Sequence, residues 1–171
     1  MTGEPSARKP RDPLTARMME FLAGIGLAVR YGEVGETTVV PGIDIEHGVI
    51  VVDEARLKWP GDLLHEAGHL AVVPADRRSA MHATAGDDGG EEMAAIAWSY
   101  AAAIHLGIDP AVVFHDGGYR GGGSNLLENF TAGRTVGIPI LQWLGMTFDE
   151  KRARTEGVAP YPHMLRWLRE G

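Results

Sequence analysis

The chain has 171 residues, of which 44% are hydrophobic, so it is long enough to bury a core without covalent cross-links. It contains no cysteine, which excludes disulfide bonds and thiolate metal sites and leaves His, Asp and Glu as candidate zinc ligands. The formal net charge of -7 argues against nucleic acid or an anionic membrane as the main partner.

Residues 1–13 are polar and proline-containing and lack the apolar segment of a secretory signal, so we expect a flexible N-terminal tail. The longest apolar stretch near it, FLAGIGLAV, is far too short to span a membrane. These features, together with the absence of cysteine, favour a cytoplasmic protein. Residues 14–171 show no linker and no internal repeat, which predicts one domain.

The first half of the chain alternates between helical and extended patterns. Apolar residues recur every three or four positions over 14–32, which predicts a helix. The next stretch is rich in Val, Ile and Thr and predicts a small sheet of two or three short strands, at 37–40, 43–45 and 49–53. Residues 60–73 predict a second helix, with Pro60 at its first position and Asp62 near its positive end.

The second half is predicted to be helical between loops. The expected elements are a polar loop (74–90), an alanine-rich helix (91–106) ending at Gly107, a short helical piece (109–115), a glycine-rich loop (116–124), a helix disturbed by Pro139 (125–146) and a terminal helix (162–171). Trp98, Trp143 and Trp167 lie in apolar helical patterns and predict core positions. The segments around the last two alternatively predict a contact face of a homodimer.

The second predicted helix carries the motif His-Glu-Ala-Gly-His at residues 65–69. Helix positions four apart lie about 40° apart, so the imidazoles of His65 and His69 can point at one ion. Glu66 lies beside that face, where it can take a proton from a water molecule as a general base. The small Ala67 and Gly68 allow another backbone to approach. Alternatively, the histidines are partly buried helix residues and Glu66 pairs with an arginine.

A catalytic zinc site of this type needs a third protein ligand. The extended motif with a third histidine is excluded, because positions 72 and 75 are Val and Ala. A carboxylate can come from Glu91 or Glu92 at the start of the alanine-rich helix, where Glu92 follows His69 after 22 residues. The two point about 100° apart, so only one is expected to face the metal, and the helix pattern does not choose between them. Both are also acids that the helix dipole favours.

Hydrolysis of a carbonyl substrate at such a site also needs a donor for the developing oxyanion. His115 and Tyr119, at and within the glycine-rich loop, are the predicted catalytic donors, with Arg120 beside them. The alternative is that this loop is only a surface turn. His82 in the polar loop is an alternative metal ligand.

Three segments together resemble a known fold: the strand GVIVVD, the motif LLHEAGH, and the helix EMAAIAW with its E-x-x-A-x-x-W spacing. They resemble the zincins, and are similar to the compact ImmA/IrrE-type metallopeptidases over about residues 45–105. The resemblance implies a mostly helical α+β domain whose small antiparallel or mixed sheet packs near the HExxH helix. It further implies one zinc ion on His65, His69 and Glu92, with Glu66 as the base and a peptide or protein as the substrate. Ile96 departs from the family pattern, which usually has a polar residue there.

Two functions are therefore expected. The first is a zinc-dependent hydrolase, specifically a metallopeptidase with water as the nucleophile. The alternative is a metal-binding regulatory or interaction module of the same fold that lacks peptidase activity. An open cleft at the metal would favour catalysis, whereas a fourth protein ligand would favour a structural metal.

Overall fold

The computed structural model describes residues 11–83, 88–118, 122–134 and 136–171. Within these ranges it is an α+β fold, 46% helical, with seven α-helices and a three-stranded mixed sheet, which confirms the predicted fold class. In chain order the elements are α1 (Pro13–Gly24), β1 (Val29–Tyr31), β2 (Ile43–Glu46), β3 (Val49–Val52), α2 (Asp62–Ala71), α3 (Ala75–Ala80), α4 (Gly89–Leu106), a 3₁₀ turn (Pro110–Val112), α5 (Gly123–Thr131), α6 (Ile138–Trp143) and α7 (Glu150–Glu156).

The first helix is shorter than predicted. Asp12, in the predicted tail, caps it by accepting a hydrogen bond from the backbone N–H of Thr15 at 2.8 Å. The helix ends at Gly24, and Gly26 adopts a φ of 101°, which turns the chain out of the helix. The prediction that this helix runs to residue 32 was wrong, because its last residues form β1 instead.

Strand β3 lies at the centre of the sheet, parallel to β1 and antiparallel to β2. The β2–β3 turn has positive φ angles at His47 and Gly48, of 49° and 81°, as tight hairpin turns require. The predicted strands at 43–45 and 49–53 are confirmed. The predicted strand at 37–40 is not: only Val40 pairs, in an isolated bridge to Ile43, because the chain turns back at once.

Helix α2 packs mainly against α4, and this contact requires a glycine. A Cβ atom at Gly68 would lie 2.8 Å from the carbonyl oxygen of Ala95, too close for any ordinary contact. The expectation that small residues in the motif admit another backbone is therefore confirmed. The alanine-rich helix ends at Gly107 in the left-handed conformation, also as predicted.

The start of α2 differs from prediction. The helix begins at Asp62, with Gly61 as its N-cap, so Pro60 lies before the helix. A Cβ atom at Gly61 would come within 2.0 Å of the carbonyl oxygen of Val112, so only glycine permits this close approach. Asp62 lies in the first turn, as predicted.

The predicted polar loop contains helix α3. None of its residues is buried, so it has no apolar period that the sequence could show. Its Arg78 donates hydrogen bonds to the carbonyl oxygens of Leu70 and Val73, at 2.7 and 2.9 Å. Helix α3 thereby supplies hydrogen-bond donors to carbonyl oxygens at the C-terminal end of α2.

Two other helical predictions were wrong in detail. The single helix over 125–146 is two helices, α5 and α6, because Gly133 and Gly137 adopt positive φ angles and Pro139 lies in the first turn of α6. The chain over 162–171 is not helical. Its backbone bonds to other segments instead: Arg169 N–H donates to the carbonyl oxygen of Ala71 at 2.8 Å.

The three tryptophans that were predicted to lie in the core differ in their burial. Trp98 is fully buried and Trp167 packs on the core, as predicted. Trp143 is 81% exposed, which contradicts its predicted core position. None of the helices in the described ranges is long and apolar enough to cross a membrane.

Candidate metal centre and active site

Three side chains from two helices converge at the α2–α4 contact. His65 and His69 lie one turn apart on α2, and Glu92 lies in the first turn of α4. Their ligand atoms all lie within 4.8 Å of one another, as a metal site requires. The side chains of His65 and His69 are 16% and 7% exposed, whereas that of Glu92 is 41% exposed. The two histidines of the cluster thus lie in the core, and the cluster is open to solvent on the side of Glu92.

The separations within this cluster fit a small tetrahedral cation. Ligand atoms of a tetrahedral zinc ion lie about 3.3–3.5 Å apart. The Nε2 atoms of His65 and His69 are 3.3 Å apart, and His65 Nε2 lies 3.4 Å from Glu92 Oε1. Glu92 Oε2 lies closer, 2.6 Å from His69 Nε2, at a hydrogen-bonding distance. Two imidazoles and one carboxylate are also a donor set that zinc accepts.

The rotation of α4 about its axis decides which of the two glutamates faces the histidines. Glu92 faces the histidines, whereas Glu91 turns away and pairs with Arg77, with 2.5 Å between Oε1 and Nη1. Glu91 is not part of the cluster of candidate ligands. The sequence left both residues open, and the resemblance favoured Glu92.

Glu66 lines the same cleft as the three candidate ligands. The cleft has a volume of about 200 Å³. Its other wall is formed by the segment that leads into and through β2, and the lining residues there are Val39, Val40, Ile43, Asp44 and Ile45. The predicted position of the sheet beside the HExxH helix is therefore confirmed.

The protonation of the site follows from its burial. Burial lowers the pKa of His65 to about 4, so this imidazole is neutral near pH 7. Burial also raises the pKa of Glu66 to about 7, close to neutral pH. For His69, burial acts to lower the pKa, but the hydrogen bond to Glu92 and the charge of Glu66 outweigh it and raise the pKa.

The hydrogen bond from His69 lowers the pKa of Glu92. A cation bound by both imidazoles and Glu92 would have to replace this hydrogen bond.

His115 lies outside the lining of the cleft. Its Nε2 is 2.5 Å from Oδ1 of Asp62, one turn before Glu66 on α2, and its ring stacks on Trp59 with 4.7 Å between centroids. Burial raises the pKa of Asp62. His115 is thus held against the first turn of the helix that carries the motif. Its oxyanion role stays a prediction.

One remaining sequence candidate, His82, lies in the described part of the chain and is not among the converging ligands. Tyr119 and Arg120 lie outside the described residues. His82, the alternative ligand, stacks on His47 with 4.4 Å between ring centroids.

Comparison with protein-family models, curated proteins and solved structures found no match.

Asp44 and Asp62 were not singled out as site residues from the sequence. Asp44 alternates with buried Ile43 and Ile45 on β2, so its outward position was readable from the strand period, but not the cleft that it faces. Asp62 was recognised only as a helix-start acid. Its pairing with His115 joins residues 53 positions apart and depends on the tertiary fold.

Proposed function

We propose that this chain is a zinc-dependent hydrolase that cleaves peptide bonds, with His65, His69 and Glu92 as the metal ligands. The observation that carries the proposal is the convergence of these three side chains in a cleft that Glu66 also lines. Zinc, when bound, supplies Lewis acidity that polarises the scissile carbonyl and acidifies water. The choice of a peptide as substrate rests on the similarity of the two helical motifs to the ImmA/IrrE-type enzymes.

Glu66 has the position and the pKa of a general base. It lines the cleft next to both histidines but is not one of the converging ligands, so its carboxylate is free to take the proton of an attacking water. The same group can then give the proton to the departing amine. A carboxyl group whose pKa lies near 7 suits both transfers at neutral pH.

The number of ligands supports catalysis over a structural metal. In the described part of the chain the cluster contains three ligand residues, and the side chain of Glu92 is 41% exposed at the open side. Catalytic zinc sites commonly have three protein ligands and keep a position for water or substrate, whereas structural sites are closed by four.

The cleft offers a substrate both an apolar and an acidic surface. The apolar residues Val40, Ile43 and Ile45 line one wall, together with the acidic Asp44. An apolar side chain of a peptide can pack against this wall while the peptide bond approaches Glu66.

The proposal is tested with Glu66→Gln. This change keeps the shape of the side chain but removes the base, so we expect zinc content to stay at one ion per chain and peptide turnover to fall about 100- to 10,000-fold. Zinc is measured by elemental analysis, and turnover by mass spectrometry of a mixed peptide library. Glu91→Gln is the matched control and should retain both properties, because Glu91 pairs with Arg77 outside the cleft.

Two results would contradict the proposal. Wild-type protein that takes up no zinc after removal of adventitious metal would exclude the metal centre. Wild-type protein that binds zinc but cleaves no peptide would leave the non-enzymatic module as the function.

A further inference from the structure

A second cavity lies away from the metal centre, on the other part of α4. Its volume is about 480 Å³, more than twice that of the cleft at Glu66. Tyr100 of α4 lines it, eight residues beyond Glu92, which corresponds to about 12 Å along the helix axis. None of the residues that line the metal cleft lines this cavity. It is therefore a separate site, within the size range of small-molecule pockets.

Aromatic rings form the apolar part of this cavity. Tyr100 and Phe130 stack on one another, with centroids 4.5 Å apart and ring planes at 12°. Tyr161 lies beside both, with centroids 6.3 and 6.4 Å away. The hydroxyl of Tyr161 donates to the carbonyl oxygen of Ala97 at 2.8 Å, which holds this ring in place. A planar ring is the shape that such a set of flat, fixed surfaces accepts best.

Four charged residues line the cavity at its rim, and they differ in their hydrogen-bond and ion-pair partners. The carboxylate of Asp149 is already used: its Oδ1 accepts from the backbone N–H of Arg152 at 2.8 Å and its Oδ2 from Gln142 at 3.3 Å. Glu150 lies 3.8 Å from the guanidinium of Arg154. Glu150 therefore has a cationic partner, and both oxygens of Asp149 already accept hydrogen bonds, from neutral donors.

Among the described residues, neither of the two cations at the rim, Arg134 and Lys151, has an acid partner. Arg134 donates to the amide oxygen of Asn129, and Lys151 is exposed. In the described ranges no carboxylate lies within ion-pair distance of either cation. An anionic group at the mouth of the cavity would find two unneutralised donors there.

We propose that this cavity is a binding site for a small planar aromatic molecule that carries one anionic group. The ring packs against Tyr100, Phe130 and Tyr161, and the anion lies between Arg134 and Lys151. The anion can be a carboxylate or a phosphate, since both cations bind either. This site does not depend on the function of the metal centre.

The test is calorimetric titration of the full chain with four matched probes: 2-naphthylacetate, 2-naphthyl phosphate, 2-naphthylmethylamine and decahydro-2-naphthylacetate. We expect at least one of the two aromatic anions to bind with a Kd of about 1 mM or tighter. The anion that binds better identifies the preferred group. The aromatic cation and the saturated anion should bind at least about tenfold more weakly, because each lacks one of the two recognised features.

The variant Arg134→Gln/Lys151→Gln should weaken binding of the aromatic anion by about tenfold for each cation removed. Both side chains are exposed, so the variant should fold normally. Arg166→Gln is the matched control, because Arg166 is an exposed cation that does not line the cavity. The proposal is overturned if neither aromatic anion binds, if the cation or the saturated anion binds equally well, or if the double variant binds as the wild type does.

Discussion

The identity of the proposed third metal ligand depends on the direction of one side chain. Glu92 lies 2.6 Å from His69, while its neighbour Glu91 forms an ion pair with Arg77. Both side chains are carboxylates at the start of the same helix, and only their direction separates them. The pair therefore provides an internal comparison for the proposed metal centre.

Glu92→Gln should weaken zinc binding by more than about 100-fold, because even outer partners of metal ligands contribute about 10- to 100-fold to affinity. Competition with a chromophoric zinc chelator measures the change. Glu91→Gln replaces the same group one position earlier and should leave affinity within a few-fold of the wild type. Equal losses in both variants would mean that α4 does not present Glu92 as described.

What the sequence could predict at the site follows from the range of the interactions. His65, Glu66 and His69 lie within one turn of a helix, so local geometry fixed their arrangement. For the third ligand, the sequence left two adjacent glutamates of α4. Which of them faces the histidines depends on how α4 is rotated against α2. The engagement of His115 by Asp62 depends on a loop whose path no local pattern encodes.

At the level of elements, the α2–α4 contact determines that rotation. The backbone of Ala95 lies against Gly68, inside the HExxH motif and next to His69. The packing that supports the fold and the placement of the ligands thus depend on the same pair of residues.

Gly68→Ala should reduce the free energy of unfolding by about 1–3 kcal/mol, since its Cβ atom would meet the carbonyl oxygen of Ala95 at 2.8 Å. Urea denaturation in the presence of a chelator measures this without a contribution from metal. Gly24→Ala is the control: nothing lies within 4 Å of its Cβ position, and alanine favours a helix over glycine by up to about 1 kcal/mol. If Gly68→Ala is as stable as Gly24→Ala, α2 and α4 do not meet at this glycine.

Elements with a strong local signal were predicted well, and those set by distant contacts were not. The alanine-rich α4 and the strands β2 and β3 were found from composition. Strand β1 was assigned to a helix because three residues are too few to show a period of two. The prediction of a terminal helix was wrong. The carbonyl oxygen of Trp167 accepts a hydrogen bond from the indole N–H of Trp98 instead of from a helical backbone N–H.

For the whole molecule, the candidate ligands connect two helices at the centre of the fold. His65 and His69 belong to α2, Glu92 belongs to α4, and the C-terminal segment contacts both helices through Trp167 and Arg169. A cation at this point binds only when the two helices are docked, because the unfolded chain does not bring the three side chains together. Zinc affinity and global stability are therefore linked.

Zinc at about 100 times its Kd should raise the free energy of unfolding by about 2.7 kcal/mol, which for a chain of this size is a Tm increase of about 5–10 °C. Thermal melts with and without zinc, each at matched ionic strength, measure it. The two glutamates of the cleft should respond differently. Glu92→Gln should lose most of the increase because it removes a ligand, whereas Glu66→Gln should keep it because Glu66 acts on the proton and not on the metal. A zinc effect that survives in Glu92→Gln, or that disappears in Glu66→Gln, would reverse the roles assigned to these two carboxylates.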